Sequence, residues 1–339
     1  MTTTVITFYN NIGGVSKTTT LYNLAAYLSK HDKKTLIVDC DPRSSVTGLF
    51  FASYPQLKNT IDPLPGTSIY DVLKPRFDGS EKFVDTSNVI LEKSKEYNNL
   101  YILRGDLDFY MAEGFFARAW INAVTANAYA KNTYVALNLL IRELGNKRNF
   151  DYVLCDVGAC PSYTTRLVLL SCDKYFIPLK PDRFNSDSVR LLTNSIGRWI
   201  SRHHDVIKNV EDAYLYDFPQ ETNLLGGVLQ FLGPRISNLE SQWINMMRKN
   251  FKPLIQSVPV ASSLKMSDPF VTKIKNVDLM ASIAQKYGVA IFDINEKQFY
   301  DAEEGSGSER YYVSYGWDFW KQRAKEYEKS IGILMDALQ

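Results

Sequence analysis

Cysteine and histidine are scarce in this sequence. Four cysteines stand at positions 40, 155, 160 and 172, with three histidines in 339 residues. They form no Cys-x-x-Cys pair and no Cys/His spacing of a zinc site, so a zinc centre is not expected. The cysteines read as small buried hydrophobes of a reducing compartment. No apolar run reaches the roughly 18 residues that a membrane-crossing helix needs. The opening Met1-Thr2-Thr3-Thr4-Val5 carries neither a basic region nor a cleavage site. A cytoplasmic chain is expected. Neither sign of charge prevails: 39 Lys and Arg against 37 Asp and Glu leave +2. Composition therefore does not announce a nucleic-acid binder, and no dense basic run offers an arm for one.

What is present is ordinary globular material, 45% hydrophobic and 22% charged, rich in Tyr and Phe. Disorder and a collagen-like chain are excluded. The length corresponds to about two ordinary domains or one enlarged α/β domain. The reading preferred here is one domain over 1–339. Insertions are expected near 51–99 and 206–223, a flexible loop at 303–309 and a final helix near 317–338. No internal repeat is visible.

Strands alternate with helices. Val5 to Tyr9 is a short β-rich run, followed by a glycine pair and then helical spacing at Leu21, Leu24, Ala25 and Leu28. Thr35 to Val38 is a second strand, ending at Asp39-Cys40-Asp41-Pro42. Further strands are expected at 100–103, 152–155, 174–179 and 225–232, with helices at 134–144, 161–171, 186–203 and 237–249. This pattern predicts an α/β fold with a doubly wound, mostly parallel sheet and helices on both faces. Such sheets bind ligands at the carboxyl ends of their strands.

Three segments carry chemistry. Gly13-Gly14-Val15-Ser16-Lys17-Thr18-Thr19 lies between a predicted strand and a predicted helix. Glycines let backbone N–H groups close around phosphate oxygens, and the helix start favours the same anion. Lys17 would hold phosphates, and the Thr18 hydroxyl would ligate Mg²⁺. Asp39 and Asp41 end the next strand on one face, by its period of two. Asp41 could position an attacking water and Asp39 could reach the metal shell. Phe150 to Asp156 is a strand ending in a carboxylate, a second acid on the metal side.

With these residues quoted, the chain resembles the ParA/MinD-type ATPases with a deviant Walker A loop. Asn10 to Thr19 resembles that loop, Asp39-Cys40-Asp41-Pro42-Arg43 the family's Asp-x-Asp-Pro-Gln segment, and Phe150 to Ser162 its third acidic segment. The resemblance runs from about residue 3 to 280 and implies a P-loop NTPase fold. It implies an ATPase with ATP and Mg²⁺ as cofactors, and a homodimer on ATP binding. It also implies nonspecific DNA binding, a ParB-like or other adaptor partner, and plasmid or chromosome partitioning from the nucleoid. Site residues follow from the motif: Asp41 and Lys17 for catalysis; Gly13, Gly14, Val15, Ser16, Lys17, Thr18 and Thr19 around phosphate; Thr18, Asp39 and Asp156 around the metal. The adenine pocket would map to Gln230 and Phe231 and to Pro259 with its neighbours.

Three positions depart from the family. Its signature lysine precedes the glycine pair, where this chain has Ile12; Ser16 replaces a usual Gly, and Arg43 a usual Gln. An aliphatic side chain cannot supply the lysine's charge. Either another Lys or Arg does so, or turnover is altered, or the chain binds without hydrolysing. Other readings also stay open: a subunit of a host-defence or cargo-positioning system, or a metabolic kinase or synthetase of the same superfamily. A reductase resembling the nitrogenase iron protein lacks its cluster cysteines here. The basic groups available to DNA are Arg248, Lys249 and Lys252; Lys265, Lys273 and Lys275; and Lys321, Arg323 and Lys325. No helix-turn-helix stands before the phosphate loop, so operator-specific binding is not expected. The final amphipathic segment could lie on a membrane, as in MinD relatives, or bind a partner, but its acidic residues and aromatics read as a helix of the core, and no membrane partner is expected.

Overall fold

The computed structural model describes residues 2–57, 64–125, 127–208, 218–219, 221–233, 235–303 and 316–339. Most of the expected 303–309 loop and the centre of the expected 206–223 insertion lie outside them.

The doubly wound sheet is present. Its strands are β1 Thr4–Phe8, β2 Thr35–Asp39, β3 Glu92–Lys93, β4 Leu100–Leu103, β5 Tyr152–Asp156, β6 Lys174–Leu179, β7 Asn223–Leu232 and β8 Phe270–Lys275. Their order across the sheet is β3-β4-β2-β5-β1-β6-β7-β8. All neighbours pair in parallel except β3 with β4. The insertion expected near 51–99 contributes helix α3, Ile69–Asp78, and the antiparallel edge strand β3.

Burial on both faces explains the near-continuous apolar runs in the central strands. Successive side chains enter opposite cores. Val5, Leu36, Val38, Val153, Tyr175 and Ile177 face one cluster. Ile6, Phe8, Ile37, Leu154 and Phe176 face the other. On the first face lie α3 Ile69–Asp78, α4 Ala112–Asn122, α5 Ala128–Lys147, α6 Tyr163–Ser171, α7 Arg183–Lys208 and α8 Asn238–Ser257. On the second lie α1 Lys17–Lys30, α2 Ser45–Phe51, α9 Asp278–Tyr287, α10 Glu296–Glu303 and α11 Gly316–Asp336.

Helix α1 is buried almost all round because it lies between the sheet and α11. Gly332 admits the Tyr27 ring there; a methyl at that glycine would stand 2.8 Å from the Tyr27 hydroxyl oxygen. Trp320, Ala324, Tyr327, Ile331 and Leu334 are the buried face of α11, which packs on α1 and β8. The final segment is thus a core helix, as its aromatic content suggested.

Local signals set several helix starts. Ser68 and Asp71 form a reciprocal capping box on α3, as do Ser237 and Glu240 on α8. Helix α6 receives a cap from outside its own segment. The Glu113 carboxylate of α4 accepts from Tyr163 N at 2.8 Å, Thr164 N at 3.0 Å and Thr164 Oγ1 at 2.8 Å. A carboxylate at a helix N-terminus satisfies free N–H groups and complements the dipole. This contact ties α4 to the loop that follows β5.

Among the described residues no helix is long and apolar enough to cross a membrane. Cys40, Cys155 and Cys172 are buried as expected, but Cys160 is exposed. It sits on the β5–α6 loop, where the chain has left the sheet and no second layer covers it.

Candidate functional site

The loop after β1 lies between β5 and β6, where the chain's direction across the sheet reverses. Asn10 fixes its entry. Its buried side chain donates to the Pro178 carbonyl of β6 at 2.8 Å and accepts from Ile12 N at 3.1 Å. The chain then turns through Gly14, at φ 68°, and Ser16, at φ 59°. Both are left-handed, which glycine adopts freely and serine at a cost of about 1 kcal/mol. Ser16 makes no side-chain cap, and the first turn of α1 carries no acidic residue. The first N–H groups of α1 are therefore free to receive an anion.

Lys17 opens that helix with 8% of its surface exposed. Its ammonium donates to the carbonyls of Asn10 at 3.1 Å and Ile12 at 3.0 Å. Burial lowers its pKa to about 8 against the opposing fields of Asp156 and Asp41. The next residue, Thr18, donates its hydroxyl to Asp156 Oδ2 at 2.9 Å.

Asp156, at the end of β5, is fully enclosed. Burial, reinforced by the charges of Asp39 and Asp41, pushes its pKa well above the ordinary carboxylate range. Its other oxygen, Oδ1, is buried with no hydrogen-bond partner. A buried acceptor without a donor, among like charges, suits a hydrated divalent cation. The described residues hold no group of three or more Asp, Glu, His or Cys arranged as a protein cage. That donor set fits Mg²⁺, which keeps several waters and takes one or two protein oxygens beside phosphates. Thr18 and Asp156 would hold it.

The two carboxylates after β2 part company. Asp39 lies beneath the cleft and does not line it. Its Oδ2 accepts from Thr47 N at 3.1 Å and Thr47 Oγ1 at 2.6 Å, and its Oδ1 accepts from Asp41 N at 3.1 Å. Burial raises its pKa to about 7 despite these donors. Gly105 closes over it; a methyl there would fall 2.8 Å from Asp39 Oδ2. Asp39, expected at the metal shell, has both oxygens engaged in anchoring the β2–α2 loop. Asp41 does line the cleft, half-buried, with Oδ1 accepting from Arg43 N at 3.1 Å.

The cleft has a volume of about 370 Å³. Gly13 to Thr19 form its floor, with Asp41 and Arg43 on one side and Val157 and Ala159 of the β5–α6 loop beside them. The opposite wall is Phe231 with Ala281, Ser282 and Gln285 of α9. That wall was not foreseen beyond Phe231. Its one sequence signal is the apolar spacing of 279–287, which does not say which face of the sheet the helix covers. Gly288 seats the end of α9: at φ 67° its carbonyl accepts from the buried Tyr22 hydroxyl of α1 at 2.7 Å.

Gln230 stands beside the cleft. Its Nε2 donates to Thr20 Oγ1 at 2.8 Å, and it lines a smaller adjoining cavity with Ser16 and Thr19. Pro259 is not brought to the site. Its carbonyl accepts from Leu224 N at 2.9 Å, at the amino end of β7. Helix α8 carries the chain back across the whole sheet, so Pro259 emerges at the wrong end of the strands.

A Gly-rich anion loop on a parallel sheet, with a buried lysine and an orphaned carboxylate, defines the class of a P-loop nucleotide-binding protein. The chain belongs to the AAA domain family AAA_31, which its residues 3–209 match. Among curated proteins it is similar to the chromosome-partitioning ATPase Soj of Treponema pallidum, at 26% identity over 57% of this chain and 63% of that protein. It is also similar to the sporulation initiation inhibitor protein Soj of Bacillus subtilis, at 25% identity over 65% of this chain and 75% of the other. The alignment thus spans less than two thirds of the Treponema protein. Among solved structures, apo McdA of Cyanothece superposes with a TM-score of 0.59 at 15% identity, covering 99% of this chain and 100% of that one. A plasmid partition protein of Borrelia burgdorferi bound to AMPPNP gives 0.54 at 17% identity, covering 89% and 96%. Such distant likenesses speak for the fold.

Proposed function

We propose that this chain is a ParA-type ATPase that binds Mg²⁺-ATP in the cleft and hydrolyses it to ADP and phosphate. The observation that carries the reading is the cleft itself: the free N–H groups of α1, Lys17 and Thr18 line it, and the buried Asp156 stands directly behind the Thr18 hydroxyl with one oxygen unpartnered. Gly13 to Thr19 wrap the phosphates and Lys17 neutralises them. When bound, the cation draws charge off the phosphate oxygens. Asp41 holds a water in line with the terminal phosphorus. The water oxygen forms the new P–O bond as the bond to the ADP oxygen breaks, and the water's proton leaves through Asp41 to solvent.

The Soj relatives and the fold of the partition proteins support a partitioning role. In this reading ATP brings two copies together, the dimer binds DNA without sequence preference, and an adaptor protein stimulates turnover. Of the basic groups, Lys275 pairs with Glu326 at 3.0 Å and Arg248 with Asp268 at 3.3 Å. DNA contact would draw on Lys249, Lys252, Lys273 and Lys321 as a local patch, because the chain as a whole is not basic. Sizing the protein with and without ATP, in parallel with binding to a random duplex, tests this. A chain that stays one size and ignores DNA in ATP defeats it.

Two further results are expected. ATP affinity falls as pH rises through about 8, because Lys17 then loses its proton in the free site. Titrations across pH 7 to 9 check this; bound phosphate favours the charged form, so the midpoint with ATP present lies higher. Ile12→Lys raises ATP turnover by placing a cation at the mouth of the loop. Phosphate-release rates decide, and an unchanged rate means that another cation already fills that role.

A further inference from the structure

The cleft is short of positive charge. Lys17 is buried, and its ammonium has three N–H bonds, two of which go to the Asn10 and Ile12 carbonyls. One remains for a ligand that carries several negative charges. Ile12 offers none. Of the described residues that line the cleft, the only other cation is Arg43.

Arg43 is placed for use. It is exposed, on the loop between β2 and α2, and among the described residues its guanidinium has no hydrogen bond or ion pair. The backbone beneath it is fixed. Asp39 holds Asp41 N, Asp41 Oδ1 holds Arg43 N, and Ser44 N donates to the Asp41 carbonyl at 2.8 Å. Ser44 then turns through φ 54° into α2. A rigid base under a free guanidinium limits the ordering cost of contact. Its charge is already felt across the site, where it opposes protonation of Lys17. An arginine's planar donor fork matches a phosphate's oxygens in a way that a glutamine cannot.

We propose that Arg43 is the second cation of the phosphate site, contacting the terminal phosphate of a nucleoside triphosphate bound to its own chain and standing in for the charge that Ile12 does not supply. This rests on the ATP reading above and gives it a sharper form. Asp41 and Arg43 share one loop, so water positioning and charge neutralisation are coupled through the anchor at Asp39.

Calorimetric binding of ATPγS and of ADP, each with Mg²⁺, tests it on the full chain. Arg43→Ala is expected to weaken ATPγS about tenfold or more while leaving ADP within about twofold. Arg43→Lys should recover part of the loss. Equal affinity of wild type and Arg43→Ala for ATPγS overturns this inference alone. An equal loss for both nucleotides overturns the assignment to the terminal phosphate. Wild type that binds neither nucleotide overturns the ATP reading, and this one with it.

Discussion

Asp41→Ala is expected to keep ATP bound and to slow its hydrolysis by about a hundredfold or more. The carboxylate lines the cleft, and when it is removed two backbone anchors of the loop remain, Asp41 N on Asp39 and Ser44 N on the Asp41 carbonyl. One of its oxygens takes the Arg43 N–H and no cation among the described residues pairs with it, which leaves capacity to accept from a water. Most of the phosphate grip does not depend on it: Lys17 reaches the Asn10 and Ile12 carbonyls and the N–H groups of α1 are free, while only the Arg43 N–H loses a partner. Hydrolysis therefore fails at water orientation, with binding intact. In the partition reading the variant accumulates as an ATP-bound dimer on DNA. Single-turnover phosphate release with sizing on a duplex measures both. Rapid turnover in the variant would remove Asp41 from the mechanism.

The second large effect is expected from Asp156→Asn, and it points in two directions. The amide has the carboxylate's shape and can still accept from the Thr18 hydroxyl. Turnover that depends on Mg²⁺ should drop by about a hundredfold, because the anionic oxygen facing the metal shell is gone. The free protein should become more stable at neutral pH. Asp156 is buried with one oxygen unpartnered, and burial raises its pKa well above the ordinary value. The folded state therefore holds this proton more tightly than the unfolded chain does. Stability from the group is complete below the ordinary carboxylate value and is lost as pH rises through the raised one. The variant escapes that loss. Melting curves at several pH values, with and without Mg²⁺-ATP, read both effects. A variant less stable than wild type at every pH would show that the charge is not a burden.

Much of the site is local and could be read directly. Gly13 to Thr19 is one uninterrupted segment between a strand and a helix, and Asp41 and Asp156 each close an apolar run. Their roles need only the knowledge that strand ends gather on one edge of a parallel sheet. Other residues mislead for equally physical reasons. Asp39 looks like Asp41's twin because both share one face of the strand. Yet its fate is set by Thr47 and Gly105, one of them 66 residues further along the chain. Asn10 passes for a loop residue until Pro178 supplies its partner. Pro259 follows a strand and a helix, and only the direction of α8 reveals that it returns to the amino end of β7.

The sequence by itself determined the strand–helix alternation, the anion loop and the acids at two strand ends. Those follow from glycine's freedom, from side-chain period and from helix starts, all properties of neighbours. Tertiary structure decided which carboxylate is free and which is an anchor, and which helix walls the cleft. It also left Arg43 as the one unpaired cation beside Lys17 among the described cleft residues. Those depend on desolvation and on partners far apart in the chain, quantities that do not exist until the sheet is assembled.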